Sequence, residues 1–195
     1  MAKSNTEPVL YELNLQTLEI TVHGVTPLIC NRFSEEKRSR MAGKQEKVAR
    51  GARPARDPDQ EFQDSLYHLA AGTGYGFPAV AFKRACVSAC RWADTFPMTQ
   101  GRGAFHVLGD LLPISGSAPV MRTDRTVIGR GITTLAYRAM FECWEITFQV
   151  RYNAAFVSAE QIINLLELAG FAVGIGEWRP ECDGNFGMFE IKRSS

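Results

Sequence analysis

The 195-residue sequence has three histidines, His23, His68 and His106, far apart and outside any catalytic motif. Imidazole-centred catalysis therefore has no starting point here. The five cysteines (Cys30, Cys86, Cys90, Cys143 and Cys182) form no C-x-x-C pair. Cys86 and Cys90 can share a helix face, but nothing nearby completes a zinc site, so the set reads as small buried thiols in a reducing compartment. No apolar run reaches the length of a membrane span, and no signal-peptide pattern opens the sequence, which leads to the expectation of a cytoplasmic protein. A dinucleotide fold and a P-loop are excluded: no G-x-G-x-x-G follows a strand and opens a helix, and there is no Walker lysine. Asp57, Asp59 and Glu61 form an acidic cluster without metal spacing or a lysine-histidine arrangement beside it. The expectation is a protein without catalytic residues, metal or cofactor, with a metal-dependent ribonuclease using Asp57 or Asp59 as a minor alternative.

What is present is an ordinary globular composition, 45% hydrophobic and 22% charged, enough for a single domain over residues 1–195. The net charge of +1 conceals an uneven distribution. Residues 32 to 56 hold nine Lys or Arg against three Glu, a net +6 that leaves −5 for the rest. Such a block suits a polyanionic partner, or else a solvated segment with no partner. Gly43 interrupts its helical stretch and "GARPARDPD" breaks it with two prolines, so residues 32–60 read as a mobile basic insertion, a finger outside the core.

Either side of that insertion the periodicity predicts a core. "LEITVHGV" alternates as a half-buried strand, stopped by Gly24 and Pro27. "AVAFKRACVSACRWAD" predicts a helix with Phe82, Ala85, Cys86, Ala89 and Cys90 on one face and Pro78 in its first turn. Residues 95–140 predict several short strands. "FECWEITFQVRY" predicts a strand with Trp144, Ile146, Phe148, Val150 and Tyr152 on one side. "SAEQIINLLELAG" predicts a helix with a Ser158–Gln161 capping box and Gly170 as its C-terminal cap. Two β-α-β halves give an α+β fold, a ferredoxin-like (RRM-like) antiparallel sheet with helices on one face.

The last segment, "GIGEWRPECDGNFGMFEI", has more glycine than a turn needs. Gly174, Gly176, Gly184 and Gly187 permit positive φ or close backbone approach, and consecutive amides can form a nest for a phosphate oxygen. Arg179 can add a charge-assisted contact, and Trp178 a face for a base or ribose. A tight hairpin with Trp178 capping the core is the competing expectation, and the two are compatible.

Three stretches in order resemble the RAMP superfamily, the repeat-associated proteins that form the backbone of CRISPR effector complexes. "LEITVHGVTPLICN" resembles their opening strand and Thr/Ser-Pro-Leu step. "GFPAVAFKRACVSACR" resembles their I-P-G-S-S-L-K-G-A-L-R segment, with Pro78 and Lys83 in matching places and Ala79 and Ala81 where small polar residues are usual. The final segment resembles their C-terminal glycine-rich loop. It reads "G-N-F-G" where a basic or serine-containing G-x-G is commoner, and its "GEWRP" with G-x-F-G-x-F (Gly184 to Phe189) looks closer to short proteins of bacteriophages and related elements. The resemblance implies an RRM-like fold that grips single-stranded RNA by its backbone, often as repeated subunits. It places Lys83 and the loop from Gly174 to Gly187 in that contact, with the basic insertion as a variable finger.

The expected function is non-catalytic, largely sequence-independent binding of single-stranded nucleic acid, RNA in preference to DNA, through Arg40, Lys44, Lys47, Lys83, Arg84, Trp178, Arg179 and the loop glycines. The expected partners are that strand and further copies of the chain or related backbone subunits. The alternative is a phage-like structural or interaction protein, or an inhibitor imitating a CRISPR backbone subunit, whose glycine loop meets protein.

Overall fold

The computed structural model describes residues 12–33, 56–70, 72–93, 96–128 and 132–193. Among these residues the chain is a mixed α+β protein with antiparallel sheets and four α-helices. β1 (Leu15–Gly24) places Ile20 and Val22 in the core and Glu19 in solvent, the alternation its sequence carries. It pairs on one side with β9 (Trp144–Asn153) and on the other with β10 (Phe189–Ile191). β4 (Phe105–Val107) pairs with the far side of β9, giving the order β10-β1-β9-β4, all neighbours antiparallel. In β9 the five side chains expected inward, Trp144, Ile146, Phe148, Val150 and Tyr152, are all buried.

Two helices cover that inward face. α2 (Ala79–Ala89) brings Phe82 to 4.6 Å from the Phe148 ring centre and 5.5 Å from that of Phe189, so one buried aromatic ties the helix to two strands. Pro78 is its N-cap, one position before the first turn. α4 (Ala159–Ala172) lies beside α2 and buries Ile162, Leu165, Leu166 and Ala169. Its capping box is formed as expected, but Gly170 is not its cap. The helix continues to Ala172, and a side chain at Gly170 would put its Cβ 1.9 Å from the Phe189 carbonyl oxygen. Gly170 is glycine because β10 crosses there.

A second sheet joins β2 (Leu28–Cys30), β7 (Val120–Ile128) and β8 (Ile132–Phe141) in the order β2-β8-β7. Between residues 95 and 140 the short strands expected from sequence include β5 (Leu111–Pro113) and β6 (Ser115–Gly116). β5 pairs with β3 (Gly76–Pro78), and β6 with the start of β9. That region also contains the long β7–β8 hairpin and a short helix, α3 (Met98–Ala104), which its two glycines hide from propensity.

The end of the segment read as an insertion is part of a helix. Asp57 caps α1 (Pro58–Ser65), its carboxylate accepting from the amides of Asp59 and Gln60. Ser65 joins α1 to the second sheet: its buried hydroxyl donates to the Phe62 carbonyl at 2.7 Å and accepts from the Ala139 amide at 2.8 Å. Arg40, Lys44 and Lys47 lie outside the described residues.

Candidate functional site

The glycine-rich segment starts as the exit from α4. Gly174, at φ +67°, takes the left-handed turn after the helix, and its amide reaches back to the Ala169 carbonyl at 2.8 Å. The chain then lies on the second sheet. The Glu177 amide donates to the Ile29 carbonyl at 3.1 Å, and Gly176 (φ +80°) passes close enough that a Cβ would sit 2.6 Å from the same oxygen. After a 3-10 turn at Pro180–Cys182 the segment doubles back on itself. The Phe186 amide donates to the Trp178 carbonyl at 2.9 Å, and the Ile175 amide to the Gly187 carbonyl at 2.9 Å. At Gly184 a Cβ would lie 1.8 Å from the Trp178 carbonyl oxygen, and at Gly187 1.8 Å from that of Ile175. All four predicted glycines thus sit where backbone meets backbone or side chain.

Most amides of the loop already have protein acceptors, including those of Gly174, Ile175, Glu177, Gly184, Phe186 and Gly187. Among the described residues the amides of Gly176, Trp178, Arg179 and Asn185 have none. Arg179 itself is turned inward: it donates to Glu181 Oε2 through Nε at 3.2 Å and Nη2 at 2.9 Å, and to the Gly176 carbonyl at 3.2 Å. Burial alone raises the Glu181 carboxyl, but hydrogen bonds from Ser88 and Arg179, with the charges of Arg179 and Arg91, outweigh it and hold the carboxyl below its ordinary value. Residues 174–187 carry Glu177, Glu181 and Asp183 against Arg179 alone, so the loop is net acidic.

Glu177 was not anticipated, and it is the hub of the site. Its carboxylate lies 2.8 Å from Arg138 of β8 and accepts from the side-chain amide of Asn31, just beyond β2. Those partners are 39 and 146 positions away, which no local pattern in one sequence reveals. Nearby, the Arg122 guanidinium stands 4.5 Å above the Phe186 ring centre and pairs with Asp124 at 2.8 Å.

Trp178 is the exposed member of this group. Its φ is +53°, a left-handed backbone that costs a bulky residue roughly 1–2 kcal/mol relative to glycine. It keeps 42% of its surface in solvent, whereas Trp144 keeps 3%, with its indole N–H donating to the Thr26 carbonyl at 2.9 Å.

The two helix residues separate. Arg84 is exposed on α2 and has no polar partner among the described residues. Lys83 is turned into the protein, its ammonium donating to the Gly101 carbonyl at 2.7 Å and to the Phe105 carbonyl, 3.7 Å from the Phe105 ring centre. Burial lowers its pKa to about 8. In this arrangement Lys83 fastens α2 to the α3–β4 connection, away from the glycine loop's own contacts. The acidic cluster is likewise structural: Asp57 caps α1, and Glu61 forms a two-point ion pair with Arg56 at 2.5 and 2.6 Å. Among the described residues no group of three or more His, Cys, Asp or Glu side chains is placed to hold a metal.

The open face of the main sheet is a poor platform for bases. In register across it lie Glu190, His23 and Glu145, then Thr21 and Thr147, Glu19 and Gln149, and finally Thr17, Arg151 and His106. These positions hold no Phe, Tyr or Trp.

The ends of the basic segment converge on the second sheet instead. At its start the Arg32 amide donates to the Ser65 carbonyl at 3.1 Å, beside Asn31 and its bond to Glu177. At its end Arg56 donates to Thr134 and stands 6.0 Å from the centre of the Tyr137 ring, one residue before Arg138. Both roots of the +6 segment and Glu177 of the glycine loop, the residue before Trp178, are therefore tied to β8 directly or through one bonded partner. No helix among the described residues is long and apolar enough to cross a membrane. No protein-family model matches the chain, and no curated protein matches it in sequence.

Proposed function

We propose that this chain is a non-catalytic binder of single-stranded nucleic acid, RNA in preference to DNA, whose basic segment neutralises phosphates beside the glycine-rich loop. The observation that carries this reading is that both roots of that segment are tied to β8, Arg56 directly through Thr134 and Asn31–Arg32 through Glu177–Arg138 and Ser65–Ala139, with Trp178 the residue after Glu177. Phosphate contacts of this kind need no base sequence, and copies of the chain can follow one another along a strand.

The strand order supports a ferredoxin-like core for this binder. Taken as β1-α2-β4-β9-α4-β10, the main sheet runs fourth-first-third-second, the split β-α-β arrangement implied by the resemblance to RAMP proteins. Its ligand surface is not the open sheet face, which lacks stacking rings, but the loop side and the second sheet.

A protein partner is the second reading, favoured by the acidic balance of residues 174–187 and the internal pairing of Arg179. Replacing Arg40, Lys44 and Lys47 together with Glu separates the two. Fluorescence anisotropy with labelled mixed-sequence RNA and DNA strands should show wild-type binding, tighter for RNA, that the triple variant loses. Wild type that binds neither strand at low salt would overturn the nucleic-acid reading.

A further inference from the structure

We infer that Trp178 is the residue that contacts unpaired bases, so that the ligand is a strand with accessible nucleobase faces and not a bare polyanion; this rests on the nucleic-acid reading above. Three observations converge on it. The backbone at Trp178 is fixed in the left-handed region, its carbonyl held by the Phe186 amide and pressed by Gly184, a position that glycine would occupy without strain. The side chains on either side point into the protein, Glu177 toward Arg138 and Asn31, Arg179 toward Glu181 and the Gly176 carbonyl. The indole between them is left exposed, and among the described residues it has no aromatic neighbour and no acceptor for its N–H, unlike that of Trp144.

The local charge decides what such a ring can take. Residues 174–187 are net acidic by sequence, and their one arginine, Arg179, is held by Glu181 while Glu177 holds Arg138, so the loop offers phosphate no free guanidinium and offers a base an uncharged π-face. Every base offers such a face, so the contact tolerates any sequence, and a duplex hides it, so the contact selects single strands. Arg179 on this account is a positioning residue that braces the loop, not a phosphate ligand.

The test compares a labelled oligouridylate with an abasic phosphodiester strand of equal length, using wild type, Trp178→Ala and Trp178→Tyr. Wild type should bind the base-bearing strand about tenfold more tightly than the abasic one. Trp178→Ala should lose that margin while keeping its affinity for the abasic strand, and Trp178→Tyr should retain most of it. A Trp92→Phe background, in which buried Trp144 is the one other emitter, adds a readout independent of the alanine variant's folding: the solvent-exposed component of the tryptophan emission should be quenched by oligouridylate and not by the abasic strand. Equal wild-type affinity for both strands, an equal Trp178→Ala loss on both, or absent quenching overturns the inference and leaves the phosphate reading standing. Wild type that binds neither strand overturns that reading itself, and the indole then belongs to a protein contact.

Discussion

At the scale of single residues, the glycines of the last segment show how one residue type serves unlike purposes. Gly187 combines φ +67° with a backbone oxygen 1.8 Å from where a Cβ would stand, whereas Gly72, at φ +76°, has nothing within 4 Å. Gly187→Ala should therefore cost about 1–3 kcal/mol in denaturant unfolding, through strain and overpacking together. Gly72→Ala, with only the backbone term, should cost less, and equal losses would contradict the packing account. Lys83 makes a prediction of a different kind. Burial lowers its pKa from 10.5 to about 8, so across that interval the folded chain releases a proton that the unfolded chain keeps. Stability should thus rise with pH from about 8 toward 10.5, as the cost of burying the charge is relieved. Thermal unfolding of wild type and Lys83→Met over that range should show wild type gaining relative to the variant; parallel curves would contradict it. What the sequence does not reveal at this scale is direction. Lys83 and Arg179 are basic residues in places that suit phosphate, yet both point inward to carbonyls or a carboxylate supplied by the fold.

At the scale of elements, local signals were legible wherever the partner lies within a few residues. The Ser158–Gln161 box closes as the spacing requires, with the Gln161 amide 3.1 Å from Ser158 Oγ and the Ser158 amide 2.9 Å from Gln161 Oε1. Ser158→Ala should cost about 1 kcal/mol, with Ser158→Thr recovering part of it, measured by the denaturation midpoint at constant slope. The inward stripes of α2 and β9 were readable for the same reason, since period 3.6 and period 2 are properties of neighbours. Gly170 misled because the rule for helix ends and the need for close approach both favour glycine, and only the position of β10 distinguishes them. α3 was hidden by its own composition, and the β7–β8 hairpin by the polar residues of its exposed positions. The segment 32–60 that reads as insertion overlaps the start of α1, although Asp57 ahead of Pro58 is a helix-start signal.

At the scale of the whole molecule, the sequence carries charge asymmetry but not the place where the charge is delivered. The +6 of residues 32–56 is plain from counting. That its two ends meet β8, next to an acidic glycine loop holding an exposed tryptophan, follows only from tertiary bonds such as Asn31–Glu177 and Arg56–Thr134. The proposed function divides the labour: a basic segment for phosphate, Trp178 for bases, and a loop whose glycines and ion pairs keep the indole in place. The most direct test is the salt dependence of affinity for a mixed-sequence single strand, wild type against the Arg40→Glu, Lys44→Glu, Lys47→Glu variant. If about four phosphates are neutralised, log K should fall with log salt at a slope of about −3 for wild type, and far less steeply for the variant. Slopes that are flat, or the same in both proteins, would contradict the assignment of phosphate binding to the basic segment.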